Sequence, residues 1–380
     1  MNRNQFLVIL AALAVLVAGG AGVAWWKRSS YAVADSRVGQ PLLQGFKVDE
    51  VARVDVADAQ GTVTLVRGEG GWAVKERGGF PADIEPIRDL LVKLHGLKVV
   101  QAEGLTDAVK PRMQLAAPGA GAKPEETGTL VELKAADGSS VAKLVLGKKA
   151  LKEARLPGMR ESVPSGRYVW VAADPQRVSV VSEPFTSVAA KPQEWLAKEL
   201  VRLERPKSLT AIGPDGKEKW SVFKETEAGD WKLAGSTGRL DGRRAQDASS
   251  ALYGLRIADA AAGVSDAEAG LDKPTLVRAT TFEGWTYEVR IGKPAPQDRY
   301  YVKTSVTGAV PQERTPPADE KPEDKEKNEK AFAERKDVLA AKLARERAVA
   351  GQTVLVEKSS LEPLLRDRAA LLAKPKGAKK

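Results

Sequence analysis

The chain has 380 residues, 43% apolar and 29% charged, with a formal net charge of +10, one histidine and no cysteine. Lack of cysteine excludes disulfides, thiolate metal sites, cysteine-linked lipid and a cysteine nucleophile, so stability must come from packing. The length leaves room for two domains of about 100–200 residues each.

Residues 6–26, FLVILAALAVLVAGGAGVAWW, form an uncharged apolar run. At about 1.5 Å per residue such a helix is roughly 31 Å long, matching a hydrocarbon core of about 30 Å. Phe6, Leu10, Leu13 and Leu16 supply apolar anchor positions. Trp25 and Trp26 stand where an aromatic belt belongs, with Lys27 and Arg28 beyond them as headgroup anchors. The run predicts a single membrane span within residues 1–28, followed by a linker over residues 29–46. The competing reading is a signal peptide cleaved after Ala24, where Gly22 and Ala24 form a small-residue site. Flanking charge does not decide orientation, because Arg3 is met by Lys27, Arg28 and Arg37. A short leading tail is expected to leave the bulk of the chain on the extracytoplasmic side of the membrane.

A first module is expected over residues 47–204. A strand at residues 51–56 precedes a hairpin, whose strands at 62–66 and 72–74 are joined by the glycine-rich turn 68–71. Asp83 is an N-cap for a helix in which Ile84, Ile87, Leu91 and Leu94 form one apolar stripe. Gly96 is suited to a left-handed C′ position, and residues 97–100 resume as a strand. Strands follow at 130–133, 142–148 and 168–171, and Asp174-Pro175 predicts the start of a short closing helix.

Much of this pattern recurs over residues 205–375. A strand at 208–212, a hairpin over 220–223 and 231–233, and a helix carried by Ala245, Ala248 and Leu252 take the same places. Leu252-Tyr253-Gly254-Leu255-Arg256-Ile257 matches Leu94-His95-Gly96-Leu97-Lys98-Val99 in character, and Trp231 matches Trp72. Ser265-Asp266-Ala267 answers Thr106-Asp107-Ala108, and Ile291-Gly292-Lys293 answers Leu146-Gly147-Lys148. The last strand, 353–356, is aligned with 168–171 and leads to an apolar helix containing Leu364, Leu365, Leu371 and Leu372. Trp72, Gly96, Trp231 and Gly254 are the markers of the repeated core. A charged insertion at 311–351 breaks the symmetry and is expected to be a mobile, solvated excursion with an exposed helix. Residues 376–380 form a basic tail. The expected fold is α+β: a single N-terminal transmembrane helix, then two similar modules of mostly antiparallel sheet with covering helices.

No catalytic, cofactor-binding or metal-ligating constellation stands out. A Ser-His-Asp triad would have to use His95, and no nucleophile elbow accompanies it. Gly68 to Gly71 lies between strands, and Gly147-Lys148 has no following Ser or Thr, so neither is a phosphate loop. Carboxylate pairs for glycan hydrolysis remain open in principle, with Asp107 and Asp266 recurring in both copies in segments that also form turns and caps.

The residues Gly71-Trp72-Ala73-Val74, Tyr168-Val169, Ile291-Gly292-Lys293, Tyr300-Tyr301-Val302 and Leu364-Leu365-Arg366-Asp367, with the segments 94–99, 144–148 and 229–233, resemble the bacterial domain-of-unknown-function family numbered 4340. The charged insertion departs from that pattern. The resemblance implies a membrane-anchored accessory protein associated with ABC transporters of the gliding-motility type, with no catalytic residues to carry over. The expected role is a noncatalytic extracytoplasmic scaffold or accessory subunit. Its partners would be the lipid bilayer and membrane proteins such as ABC-transporter subunits, with no nucleic acid and no cofactor. The alternatives are a binding module for an anionic envelope polymer and a carboxylate-based glycan hydrolase.

Overall fold

A computed structural model describes residues 37–373, except 120, 157–158, 236–237 and 315–321. The run 6–26, with Phe6, Leu10, Leu13, Leu16, Trp25 and Trp26, and the tail 376–380 lie outside the described residues. Among the described residues no helix is long and apolar enough to cross a membrane. Most of the structure is antiparallel sheet, with several helices.

In chain order the first elements are β1 Arg53–Ala57, β2 Thr62–Gly68, β3 Gly71–Val74, β4 Phe80–Pro81 and α1 Ile84–Gly96. Then come β5 Val99–Gly104, α2 Val109–Arg112, β6 Thr129–Lys134, β7 Ser140–Leu156, β8 Met159–Val171 and β9 Arg177–Val181. They are followed by β10 Glu199–Val201, β11 Pro206–Ile212, β12 Glu218–Phe223, β13 Lys232–Leu233, α3 Gly242–Tyr253, β14 Leu255–Arg256 and β15 Asp259–Ala260. The last are α4 Asp266–Ala269, β16 Thr275–Thr281, β17 Thr286–Ala295, β18 Arg299–Thr307, α5 Pro322–Val349, β19 Val354–Glu357, α6 Lys358–Leu365 and α7 Arg368–Leu371.

Two compact units emerge, one holding residues 37–61 and 88–190, the other 62–87 and 191–373. In the first, strands run side by side in the order β1-β6-β7-β8-β9-β5. Strand β6 buries alternate residues, Thr129, Val131 and Leu133, as a half-covered strand should. In β7, Leu144, Val145 and Leu146 are all buried, so both faces are covered there. Leu115, Val145 and Val178 form a small core against Leu105, Val109, Met113, Tyr168 and Trp170. Residues 37–46, part of the segment read as a linker, pack into this unit. Leu42, Leu43 and Phe46 are buried, and backbone bonds join Gly39 N to Val99 O (2.9 Å) and Leu42 N to Leu97 O (2.7 Å).

Beyond the sheet, β7 and β8 continue as a two-stranded arm. Pairing of β6 with β7 ends at Thr129 and Leu146, and pairing of β8 with β9 at Arg167 and Val181, while β7 and β8 stay in register to Leu156 and Met159. The sequence reading ended the first of these strands at residue 148 and missed the arm, because lysine and glutamate interrupt the apolar alternation beyond it.

In the second unit an eight-stranded sheet runs β13-β12-β11-β16-β17-β18-β19-β15. Its six strands from β11 to β15 repeat the order β1-β6-β7-β8-β9-β5, and each set has its own hairpin, β2-β3 or β12-β13. This order corrects the alignment: β18 answers β8, and β19 answers β9 rather than 168–171. It also overturns the closing helix expected at Asp174-Pro175, which form a turn into β9, because Arg177–Val181 pairs on both edges with β8 and β5. The β2-β3-β4 hairpin packs within the second unit. Asp83 N bonds to Trp195 O (2.8 Å), Ala197 N to Pro81 O (2.9 Å), and Arg77 grips Asp259 through two bonds of 2.6 and 2.9 Å.

Helix α3 starts at Asp241, whose carboxylate accepts the Arg243 N–H (3.1 Å), and buries Ala245, Ala248 and Leu252. The left-handed role expected of Gly96 is not found. Gly96 is the last residue of α1 and has no positive φ, and Gly254 leaves α3 at φ −126°. At the end of α1 the chain turns directly into Leu97, whose carbonyl receives Leu42 N.

Candidate functional site

The charged insertion is no free excursion over its whole length. Helix α5 lies against β18 and β10, burying Leu339, Leu343 and Val349 together with Lys342 and Glu346, which are 5% and 4% exposed. The spacing 339, 342, 343, 346, 349 is a helical stripe, but two of its members are charged, which is why it read as thin. Both Glu346 oxygens are engaged. Oε1 accepts the Arg202 N–H (3.0 Å), and Oε2 accepts the Tyr287 hydroxyl (2.9 Å). Burial pushes the Glu346 carboxyl above the usual range, with the Arg202 N–H and Lys342 opposing that rise. The Tyr287 phenol is likewise raised, by burial and then by the Glu346 charge. Lys342 sits 5.4 Å from the Trp285 ring centre and 5.9 Å from that of Tyr287, and its Nζ lies 3.5 Å from Glu204. Every polar tip in this cluster is thus committed to a partner, so the cluster acts as a clasp on α5.

In the first unit, Arg167 is 9% exposed and has no carboxylate partner among the described residues. Its guanidinium donates to the carbonyls of Gly147 (2.8 Å), Pro184 (3.1 Å), Phe185 (3.1 Å) and Leu146 (3.3 Å). Burial pushes its pKa down to about 10, so it stays charged at neutral pH. It fastens the 184–185 turn to the base of the arm.

The same unit carries an open cleft of about 680 Å³, lined by Phe46, Asp49, Glu50, Asp137, Ser139 and Val141 among others. Glu50 pairs with Lys47 (2.8 Å). Asp137 accepts the Ser139 hydroxyl (2.6 Å) and backbone N–H (2.9 Å), which hold its carboxyl below the usual range. A general acid needs the opposite shift. A smaller cavity of about 150 Å³ adjoins it, sharing Gln44, Phe46 and Val141. Among the described residues no group of three or more His, Asp or Glu could hold a metal ion.

Residues 72–274 match the family model described as Domain of unknown function (DUF4340), more than half of the chain. The chain belongs to the DUF4340 family. No curated protein and no solved structure matches it.

The DUF4340 match runs from the β2-β3 hairpin to the edge of β16, and most of the markers read from sequence fall inside it. Trp72 is half-buried on β3, whereas Trp231 is 8% exposed and its indole N–H reaches Gln246 (3.3 Å). Gly96 and Gly254 end α1 and α3. His95 is exposed, with Nδ1 3.1 Å from the Phe46 carbonyl. Asp107 and Asp266 are both exposed. Asp266 pairs with Lys303, and the preceding Ser265 forms a capping box with Glu268. The structure does not gather these residues into one site.

Gly147 and Gly292 share a role that the repeat alignment detected only as a match of letters. A Cβ on Gly147 would collide with the Met113 carbonyl just past α2, and one on Gly292 with the Ala269 carbonyl at the end of α4. In each unit a bare glycine lets the end of a short helix lie on the strand. The α5 clasp and Arg167 were missed, since one buried charge in a mixed-charge stretch leaves no periodic signal.

Proposed function

We propose that this DUF4340 protein is a noncatalytic accessory or scaffold subunit, held by residues 6–26 as a single membrane span, with its two units outside the cytoplasm. The observation that carries the reading is the short connection between that run and the first folded unit. Arg37 already belongs to the packed region, its Nε 4.0 Å from Asp174. From Trp26 to Arg37 the chain can extend at most about 40 Å, so the unit stays within a domain's width of the bilayer. Tethering of that kind raises the effective concentration of any neighbouring membrane partner. The two six-strand sets arose by internal duplication, a reading supported by the shared strand order and by the paired close approaches at Gly147 and Gly292. The partner class is an ABC-type transport or cell-envelope complex, which rests on the family resemblance.

The test is purification of the intact protein from its own membranes in mild detergent after crosslinking. A membrane transport subunit should be recovered in constant ratio. Its absence, or release of the protein into the soluble fraction after cleavage at Ala24, would sink the reading.

A further inference from the structure

The β7-β8 arm is an exposed element with no partner in the described structure. Leu151 is 60% exposed and Val163 37% exposed, and Lys148, Lys149 and Lys152 are exposed without an ion pair among the described residues. Five cations, Lys148, Lys149, Lys152, Arg155 and Arg160, face two anions, Glu153 and Glu161, in the arm's sequence. Adding a strand to either edge is disfavoured. Pro164 lacks an N–H, and register shifts interrupt the ladder between Leu146 and Lys149 and again between Ala150 and Leu151. The arm therefore offers basic side chains interleaved with apolar ones rather than a backbone edge.

The complement lies in the same unit. The cleft that opens on Asp49, Glu50 and Asp137 is also lined by half-buried Val141 and by the buried Phe46 beneath it, an acidic rim around apolar ground. It begins at Ser139 and Ser140, where β7 starts, and the arm begins at Lys148 of that strand. From Ser140 to Lys152 an extended strand covers about 40 Å, so an arm cannot fold back into its own cleft. We propose that the arm of one copy docks on the acidic cleft of a second copy, giving a head-to-tail association through the first unit. Arm and cleft are different surfaces, so each copy retains one free end, and the contact closes into a ring or propagates as a row. A row of this kind, parallel to a membrane, needs no partner beyond this chain. The inference is separable from the anchor reading, since the contact is made by folded residues alone.

The experiment is sedimentation velocity of the full-length chain in detergent micelles, from about 1 to 50 µM, at about 50 and 500 mM salt. Wild type should associate with rising concentration at low salt and dissociate at high salt. Lys149→Glu with Lys152→Glu, or Asp49→Lys with Glu50→Lys, should each weaken association about tenfold or more. An equimolar mixture of the two reversed proteins should restore it, because each reversed surface then finds its opposite. Circular dichroism of each variant checks that the fold is kept. As the chain has no cysteine, Leu151→Cys in one copy and Ala136→Cys in another give a bifunctional thiol crosslink that needs both proteins present. A monomeric wild type at 50 µM overturns the proposal, as does association that survives charge reversal or a mixture that stays dissociated. Arm-dependent binding to anionic vesicles by a protein that does not self-associate also overturns it, and assigns the arm to lipid.

Discussion

Arg167 is the residue whose removal tests the reasoning about the arm's base most directly. Arg167→Met keeps the aliphatic stem and deletes the guanidinium. Of its four carbonyl partners, those of Gly147 and Pro184 receive no turn or loop backbone N–H among the described residues, whereas Phe185 O also receives Val188 N at 3.3 Å. A buried carbonyl left without a donor costs about 1–3 kcal/mol. Two of them give roughly 2–6 kcal/mol, and relief from burying an uncompensated charge offsets part of it, so the expected loss is about 3 kcal/mol. For a unit of this size that lowers the melting temperature by roughly 6–12 °C. Arg167→Lys keeps a charge but cannot fork to both β7 and the 184–185 turn, so it should fall between wild type and Met. The assay is thermal unfolding by circular dichroism, paired with hydrogen exchange of peptides covering residues 144–171, which localises the loss to the first unit. A loss under about 1 kcal/mol, or one spread evenly over both units, refutes the argument that these carbonyls depend on one side chain.

Gly147→Ala and Gly292→Ala should each cost about 2–3 kcal/mol in urea unfolding, because a backbone carbonyl cannot swing aside for the new methyl group. Gly96→Ala should be neutral or stabilising by up to about 1 kcal/mol, since nothing lies within 4 Å of its Cβ position and its φ is not positive; a large loss there would contradict the helix-end assignment. Glu346 has a folded pKa raised above its unfolded value of 4.5, so the stability it contributes is complete below that value and is lost as pH rises through the folded one. Wild type should therefore lose stability between pH 4.5 and neutrality relative to Glu346→Gln, measured by urea midpoints across that range; parallel pH profiles would show that the carboxyl is not desolvated. Tyr287→Phe removes the donor to Glu346 Oε2 and should cost about 1–3 kcal/mol, with faster exchange confined to α5 and its neighbours.

The parts of the fold that sequence made legible are those where one physical signal dominates. The stripe Ile87, Leu91 and Leu94 marks α1 because its members are apolar at helical spacing. Asp83 marks the start of α1, its carboxylate accepting the Glu85 N–H (3.1 Å), because capping requires a short polar side chain at a fixed offset. The match of Gly147 with Gly292 was visible as a recurring pair, but its cause, a helix end pressed on a strand, is a tertiary contact that no local pattern encodes. Family membership was carried by such recurring short segments rather than by any reactive group.

What escaped has one common origin, a charge placed where packing is also required. Lys342 and Glu346 interrupt the stripe of α5, so counting apolar residues alone turned a docked helix into a solvated one; Trp285, Tyr287, Glu204 and the Arg202 N–H, all far away in sequence, make their burial tolerable. Arg167 sits in a strand where alternation predicts nothing about four carbonyls brought from β7 and the 184–185 turn. The arm is the converse case. Its lysines weakened the strand pattern because they are not committed inside the unit, and Leu151 and Val163 remain exposed beside them. Charges that obscure a pattern but end up satisfied, as in α5, are structural. Charges that obscure a pattern and end up unpaired on the arm leave both electrostatic attraction and apolar area available to a second surface. That difference, set by tertiary packing rather than by local sequence, separates the clasp from the arm and makes the arm the element to test for association.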